Sequence, residues 1–522
     1  MPNYPSANFT NNGEKLKNGE ISLLQRSVQF FGECPFLIND KRIYSFQETD
    51  IISSWLSHRL SDIGIKQGDK VILYLEGGAE FVFSRFSLRK LGTVIIPLNN
   101  TLDDSEIQRI IDNVEPDWII VSRKFFSILK KIIFTDFSER IIIIEEMLRD
   151  FKKFEVKGHQ GLFETKQLEL PTLTTDLNSN AAICYTSGTT GHPKGVVYTH
   201  QNILASGRWM AHVTDMQHND VLLNAIPIYV SSNFNGHFIA SLMQGTSIVL
   251  LNKFDPEDVL TKIETHKVTI LHATGNMYVK LLNYKNIFDY NLTSIRVVTW
   301  SNLLPTVLQK QLVMAFPNAK ILQLYGFAEG GPVGTSISLE DLIKRPNSCG
   351  KIDPDFACFR VVDKKGNDVP IGEIGEIIYQ SPGLMRTYYR NPKATKKAIR
   401  DGWYYTGDLG RLDQDNFLYF VGRKKEFINI GKEKVHPVEI EEVLFKHPAV
   451  LDVAVVSAPH PTLGQEIKAF VVVKEGVRVN SDELIDFCAK QNLKSYKIPS
   501  KIEFRSSFPK NSMGKTLKNK LI

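Results

Sequence analysis

The chain has 522 residues, 43% of them hydrophobic and 23% charged, with a formal net charge of +6. It is too long for one small core and too apolar for a disordered polymer, so two or more domains are expected. The mild positive balance, with lysines scattered in pairs rather than blocks, reads as a solvated surface that also suits a polyphosphate ligand, and no nucleic-acid motif accompanies it.

The opening stretch MPNYPSANFTNNGEKLKNGE is polar and lacks the basic, apolar and small-residue order of a signal peptide. No run of 18 apolar residues follows, so a cytoplasmic protein without a transmembrane segment is expected. Cys34, Cys184, Cys349, Cys358 and Cys488 are odd in number, widely spaced and without a CxxC pair, which argues against a disulfide scaffold and a zinc site.

From residue 70 onward short β-branched runs alternate with amphipathic stretches. KVILYLE, GAEFVFSRFSLRKLG and TVIIPLN come first, then SIVLLNKF, PEDVLTKIETHK, VTILHAT, SIRVVTW, LLPTVLQKQLVMAF and AKILQLYG. This is the rhythm of an α/β protein, with parallel sheets covered by helices. In LLPTVLQKQLVMAF, the residues Leu304, Val307, Leu308, Leu312 and Val313 are predicted to share one buried face. After about residue 425 the pattern changes to a helix HPVEIEEVLFKHP with Pro437 in its first turn, strands LDVAVVSAP and IKAFVVVKE, a helix SDELIDFCAKQ and a strand SKIEFRSS. A large domain over 1–424 and a small, mobile α+β domain over 425–522 are expected.

Between the strands AAICY and GVVYT lies TSGTTGHPKG. Its glycines let consecutive backbone N–H groups converge, its hydroxyls add donors and Lys194 supplies a full charge, so the loop reads as a nest for polyphosphate. It is not GxxxxGK[ST], and the later GKT at Gly514 lacks the first glycine of that motif, with Pro509 in its place.

The loop resembles the phosphate loop of the adenylate-forming superfamily of acyl-CoA synthetases, peptide-synthetase adenylation domains and luciferases, and most resembles the carboxylic acid:CoA ligases. Further words stand in that family's order along nearly the whole chain: LSDIGIKQGDKV, LGTVIIPLN, YGFAEG, GWYYTGDLG, GRKKEFINIGKEKVHPVEIE and FPKNSMGK. The resemblance implies ATP-dependent formation of an acyl-adenylate and then transfer to the thiol of CoA, with ATP and Mg²⁺ required and CoA as co-substrate. It implies that Thr186, Ser187, Gly188, Thr189, Thr190 and Gly191 hold phosphates together with Lys194, and that Glu329 holds the metal. Asp408 and Arg423 are implied at the ribose, and Tyr325, Gly326, Ser301 and Asn302 around the adenine. Lys515 is implied as the adenylation lysine, Lys425 as the hinge, and Gly431 and Lys432 on the thiol path. Lys194 and Lys515 are the catalytic pair on this reading.

Several positions depart from the family pattern. Ala328 replaces the threonine of YGxTE, Lys432 replaces a glycine after the hinge, TWSNLLP stands where a glycine-rich adenine loop is common, and Val230 stands in the place of a histidine. PIYVSSNFNGH marks the acyl pocket through Tyr229, Val230, Asn233 and Phe234. No carboxylate lies between Asp220 and Asp255, and no lysine or arginine between Arg208 and Lys253. A buried ammonium or second carboxylate on the substrate would be left unpaired there, so a neutral, fatty or related acyl chain is expected. Asn233 and Asn235 read either as partners of a hydroxyl or carbonyl on that chain or as turn formers. His200 and His237 read as structural. Two alternatives stand beside the CoA ligase: transfer to the phosphopantetheine of a separate acyl carrier protein, and a nucleotide-binding protein with impaired catalysis, for which Ala328 and Lys432 speak.

Overall fold

The computed structural model describes residues 19–40, 42–132, 139–156, 176–186, 193–301, 304, 306–430, 433–460, 462, 464–491, 493–510 and 516–521. Its largest sheet, 14-stranded among these residues, has a parallel run at one end. That run passes from Pro35–Asn39 through Ser247–Val249, Val221–Asn224, Ile270–Thr274 and Val297–Ser301 to Lys320–Tyr325. The alternating segments of the sequence supply most of these strands, with helices such as Pro256–His266 between them. That helix begins where Asp255 accepts the backbone N–H groups of Glu257 and Asp258, with Pro256 in its first turn, and it stops at Lys267, whose φ is +52°.

The sheet is mixed rather than wholly parallel. Beyond Lys320–Tyr325 come Thr335–Ser338, Ser348–Ile352, Leu418–Arg423, Trp403–Leu412, Gly375–Gln380 and Cys358–Val362, all paired antiparallel. Their short connections, such as the turn from Leu412 to Leu418, cannot hold the crossover that a parallel pair needs. A second sheet carries Lys70–Tyr74 and Val94–Pro97 side by side, continues into the hairpin of Asn180–Thr186 with Lys194–Thr199, and ends in the short strand Thr387–Tyr388.

Alternation divides the core. Leu222, Ile270, Val297 and Leu322 face inward, toward Phe81, Trp209, Phe234 and Phe238, while Leu223, Leu271, Val298 and Ile321 face the outer helices. In the helix Thr306–Ala315 the expected stripe holds for Leu308 and Leu312, and Leu304 just before the helix is buried too, but Val313 is 46% exposed. Buried Leu304, Leu308, Leu312 and Phe316 repeat every four residues, and one step past Leu312 turns Val313 off that line by about 100°.

After Arg423 the chain leaves the large sheet. Ile428–Ile430, Glu433–Val435, Val450–His460, Gly464–Val473 and Lys501–Phe504 form a five-stranded sheet with its own core, which includes Ile440 and Leu444 of the helix Pro437–Phe445.

Candidate functional site

The phosphate loop joins two strands in an antiparallel hairpin with Thr186 opposite Lys194. Lys194 projects from the first position of its strand, with Nζ 5.0 Å from the centre of the Tyr388 ring. Tyr388 sits on the short strand Thr387–Tyr388 paired beside it, and its hydroxyl donates to Glu329 Oε1 at 2.7 Å. Lys194, Tyr388 and Glu329 therefore stand in file. Burial, followed by the Glu329 carboxylate, pushes the Tyr388 hydroxyl far above its ordinary range, so it remains a donor. A cleft of about 250 Å³ opens next to this file, lined by Lys194, Tyr185, Arg109 and Tyr388 among others.

Glu329 lies in the turn Ala328–Gly330, which is tied down on every side. Tyr198 Oη donates to the Ala328 carbonyl at 2.5 Å, Met385 N donates to the Glu329 carbonyl at 2.7 Å, and Tyr379 Oη reaches the Gly330 carbonyl at 3.2 Å. Gly331 closes the turn at φ +66°, where a Cβ would come 2.1 Å from the Gly383 carbonyl oxygen, so only glycine fits.

Asp408 and Arg423 are directly opposite on neighbouring antiparallel strands. The buried Asp408 carboxylate accepts Arg423 Nε at 3.0 Å through Oδ1 and Tyr325 Oη at 2.8 Å through Oδ2. Burial draws the Arg423 guanidinium down, but the Asp408 carboxylate outweighs it and the group is held above its ordinary range. Burial and then Asp408 push the Tyr325 hydroxyl well up. Two charge-assisted hydrogen bonds, each worth about 1.5–3 kcal/mol, hold the Asp408 carboxylate in place.

The segment predicted to face the acyl group is a π-helical turn, Ser232–His237, a form that is rare and concentrated at functional positions. Tyr229 and Phe234 are buried and Val230 is half-buried between the two large cores. The two asparagines differ: Asn233 Nδ2 donates to the Ile226 carbonyl at 2.7 Å and shapes the turn, while Asn235 is fully buried and neither of its side-chain polar atoms has a partner among the described residues. His200 and His237 are both buried, and burial pushes each down to about 4, so both rings are neutral at pH 7.

A support that sequence reasoning missed lies behind the turn. Glu20, on the first helix Glu20–Phe31, accepts Arg85 Nε and Arg89 Nε at 2.8 Å each, and all three side chains are buried. Arg85 stacks 3.8 Å from the Phe234 ring centre and donates to the Phe234 carbonyl at 2.7 Å. Arg89 donates to the Ala181 carbonyl at 2.5 Å, on the strand that leads into the phosphate loop. One carboxylate thus braces both the π-helical turn and the strand Asn180–Thr186. Burial raises its pKa, but the two guanidinium groups prevail and bring it down to about 2.

The structure therefore brings Lys194 and Glu329 to opposite sides of Tyr388, with Thr186 opposite Lys194 in the hairpin, and brings Tyr325, Asp408 and Arg423 into one network. Gly326 is exposed just past the end of its strand, Ser301 ends the neighbouring strand, and Lys425 is exposed in the turn between the large sheet and the five-stranded one. Ser187, Gly188, Thr189, Thr190, Gly191, Asn302, Gly431, Lys432 and Lys515 lie outside the described residues. Tyr388 and Arg85 are the additions. Neither had a local signal, because Tyr388 is 59 residues from Glu329 and Arg85 is 149 from Phe234.

Residues 24–389 match the family model described as AMP-binding enzyme, and residues 439–515 match that of the AMP-binding enzyme C-terminal domain. The chain is 29% identical to a long-chain-fatty-acid–CoA ligase of Bacillus subtilis, over 88% of this chain and 86% of that protein. It is 30% identical to 4-coumarate–CoA ligase 2 of Nicotiana tabacum, over 95% and 92%. Among solved structures, the O-succinylbenzoate coenzyme A synthetase of Bacillus subtilis in complex with ATP and a magnesium ion superposes with a TM-score of 0.81 at 26% identity, covering 96% of this chain and 98% of that one.

Proposed function

The chain belongs to the AMP-binding enzyme family, in its large part and its C-terminal domain alike, and from that premise we propose that it is an ATP-dependent acid:CoA ligase acting on a neutral acyl chain. A carboxylate oxygen attacks the α-phosphorus of ATP, the bond to pyrophosphate breaks, and an acyl-adenylate remains. The sulfur of CoA then attacks the acyl carbon, AMP leaves, and the thiol proton passes to solvent. CoA is taken as the acceptor, in preference to a carrier protein, because the matched relatives are CoA ligases.

The observation that carries this reading is the presence of two charge systems, one on the mixed sheet at Asp408 and Arg423 and one where the turn Ala328–Gly330 meets the hairpin of the second sheet. Asp408, steadied by Arg423 and Tyr325, offers carboxylate oxygens suited to a ribose diol. Lys194 and Glu329, aligned across Tyr388, suit a triphosphate and its cation. Bringing two anions together is mostly placement and charge stabilisation, which fixed cations supply. Among the described residues no three His, Cys, Asp or Glu side chains gather as a metal cage. A lone Glu329 fits magnesium, which keeps waters and is held largely by substrate phosphates. When bound, that ion neutralises phosphate charge.

Lys515 is proposed to approach the α-phosphate during adenylation and to leave when the small domain turns about Lys425, with the boundary at 424/425. The exposed position of Lys425 in the connection between the two sheets supports a hinge there. The absence of acidic side chains from 221–254 and of lysine or arginine from 209–252 supports the neutral acyl chain. The test is ATP–pyrophosphate exchange and product mass spectrometry with fatty, aryl and short acids, with and without CoA. Lys515→Ala is expected to abolish exchange while largely sparing thiolysis of supplied acyl-adenylate; equal loss of both steps would refute the rotation.

A further inference from the structure

Three adjacent strands of the parallel run change character along their inward face. Leu222 gives way to Asn224, Ile270 to His272 and Thr274, and Val297 to Thr299 and Ser301. Asn224, His272 and Thr299 are register partners, as are Thr274 and Ser301, so the polar residues form two rows at the carboxyl ends of the strands. A strand face packed between two layers has no reason to turn polar at its end unless something polar meets it there, and ligands of open α/β sheets bind at that end.

The protein itself uses only part of this polarity. Asn224 Oδ1 accepts Ile226 N at 2.9 Å, His272 Nδ1 meets Thr299 Oγ1 at 2.7 Å, and Thr274 caps the following helix. Left over are Asn224 Nδ2, His272 Nε2 and Ser301 Oγ, together with Ser232 Oγ and His237 Nε2 from the π-helical turn that covers the row. The His237 and His272 rings lie 4.1 Å apart, which places turn and row in contact. All five atoms are buried and have no hydrogen-bond partner among the described residues. Buried polar atoms in native proteins are nearly always paired, so five in one place call for a missing partner.

The place is next to the reaction site. Ser301 is the register partner of Leu324, the residue before Tyr325. Gly236 of the turn faces Pro332, just beyond the Glu329 turn, within 3.7 Å of its ideal Cβ. Apolar walls from Tyr229, Phe234 and Leu324 stand around it. Resting on the acid:CoA ligase reading, we propose that this seam recognises an uncharged oxygen function, a hydroxyl, carbonyl or ether, on the acyl chain, so that the preferred acid is an oxygenated one and not a plain hydrocarbon acid. Asn224 Nδ2 is a donor, and each hydroxyl and neutral imidazole can donate, which suits an acceptor oxygen. Burial keeps both histidines neutral, with His237 pushed down to about 4 and His272 well below its ordinary range, so the seam does not offer the cation that a second carboxylate would need.

The experiment measures ATP–pyrophosphate exchange on the full chain with acids matched in carbon skeleton: hexanoic against 5-hydroxyhexanoic and 5-oxohexanoic acid, and cinnamic against 4-hydroxycinnamic acid. The oxygenated member of at least one pair is expected to be favoured at least tenfold in kcat/KM, and that ratio to fall at least fivefold in Ser301→Ala and in Asn224→Ala. Exchange that is comparable within every pair in the wild-type protein overturns the inference and leaves the ligase reading standing, as does a ratio that neither variant moves. No exchange with any acid overturns the ligase reading itself. If Asn224→Ala fails to fold, the wild-type ratio and half-buried Ser301 still decide the matter.

Discussion

At Asp408 both carboxylate oxygens already hold a partner, Tyr325 at 2.8 Å and Arg423 at 3.0 Å, whereas Asn224 and His272 on the inward face of the parallel run, and His237 on the π-helical turn over them, each bury a nitrogen that meets none among the described residues. The difference separates what every turnover shares from what varies among substrates. On the proposed reading Asp408 serves the nucleotide, which is always the same, so its receptor can be assembled in advance and lose nothing in reorganisation when it binds. An acyl chain differs from one family member to the next, and unpaired polar atoms left for it make rejection of the wrong chain strong. The Glu20–Arg85–Arg89 cluster underlies both halves, because it reaches Phe234 on one side and Ala181 on the other.

Asp408→Asn attacks the preassembled half and carries the largest expected effect. Losing the charge weakens the bond to Arg423 and one ribose contact together, about 4 kcal/mol in all, or roughly 10³-fold in the adenylation rate. Discrimination between acids should be unchanged, because the hydrogen bonds of Asp408 to Tyr325 and Arg423 serve the proposed nucleotide half; a shifted preference would break the proposed separation. Glu20→Gln tests the shared support. Removing one member of a buried ion cluster leaves two guanidinium groups uncompensated, at a cost of about 3–5 kcal/mol, seen as a lower urea midpoint. Both nucleotide affinity and acyl preference should suffer in the surviving folded enzyme, and a loss confined to one would mean that the halves do not share this brace.

Acid sharpens the same point with a smaller and graded effect. The Glu20 pKa is depressed on folding from 4.5 to about 2, so its stabilising share is complete above about pH 4.5 and is lost as the pH falls through about 2. His200 and His237 are depressed from 6.5 to about 4 by burial, which makes the unfolded chain take up their protons first. Stability should therefore decline in two stages, from pH 6.5 to 4 for the histidines and below 4.5 for Glu20, each group contributing about 3 kcal/mol. Urea midpoints followed from pH 7 to 3 in the wild type and in His200→Gln should show the upper stage reduced in the variant; an identical slope would exclude His200 as a contributor.

The sequence made the nucleotide half far more legible than its surroundings. Alternating apolar residues predicted the strands that carry Ser301 and Tyr325, and the glycine and hydroxyl loop announced itself between two apolar strands. Asp408 and Arg423 were marked by short words that resemble family motifs. What stayed hidden depends on tertiary contact. Arg85 reads as the polar side of an amphipathic helix, yet it is fully buried because Glu20, 65 residues away, neutralises it. SSNFNGH reads as a loop, yet it is a π-helical turn packed on Arg85 and His272, contacts that no local spacing encodes. Val313 was misplaced for a simpler reason: a four-residue stripe was read one residue too wide.

The smallest predicted effect concerns Ala328, where a threonine is common in the resembling family. Its carbonyl is held by Tyr198 and its turn is fixed by Gly331, so the backbone is already set and only the side chain is in question. The position is half-buried beside Glu329, on the side of the site proposed to face the phosphates. One added hydroxyl that reaches a phosphate oxygen is worth about 1 kcal/mol, and 1.36 kcal/mol is tenfold, so Ala328→Thr should speed adenylation roughly fivefold in pre-steady-state measurements. Because the nucleotide half is preassembled, that gain should appear in the first half-reaction alone, with thiolysis of supplied acyl-adenylate and the ratio between paired acids left as they were. If the gain came instead with a changed acid preference, the turn at Ala328 would belong to the acyl half, and the line between the prepared and the unfinished sides of the site would have to be redrawn through Glu329.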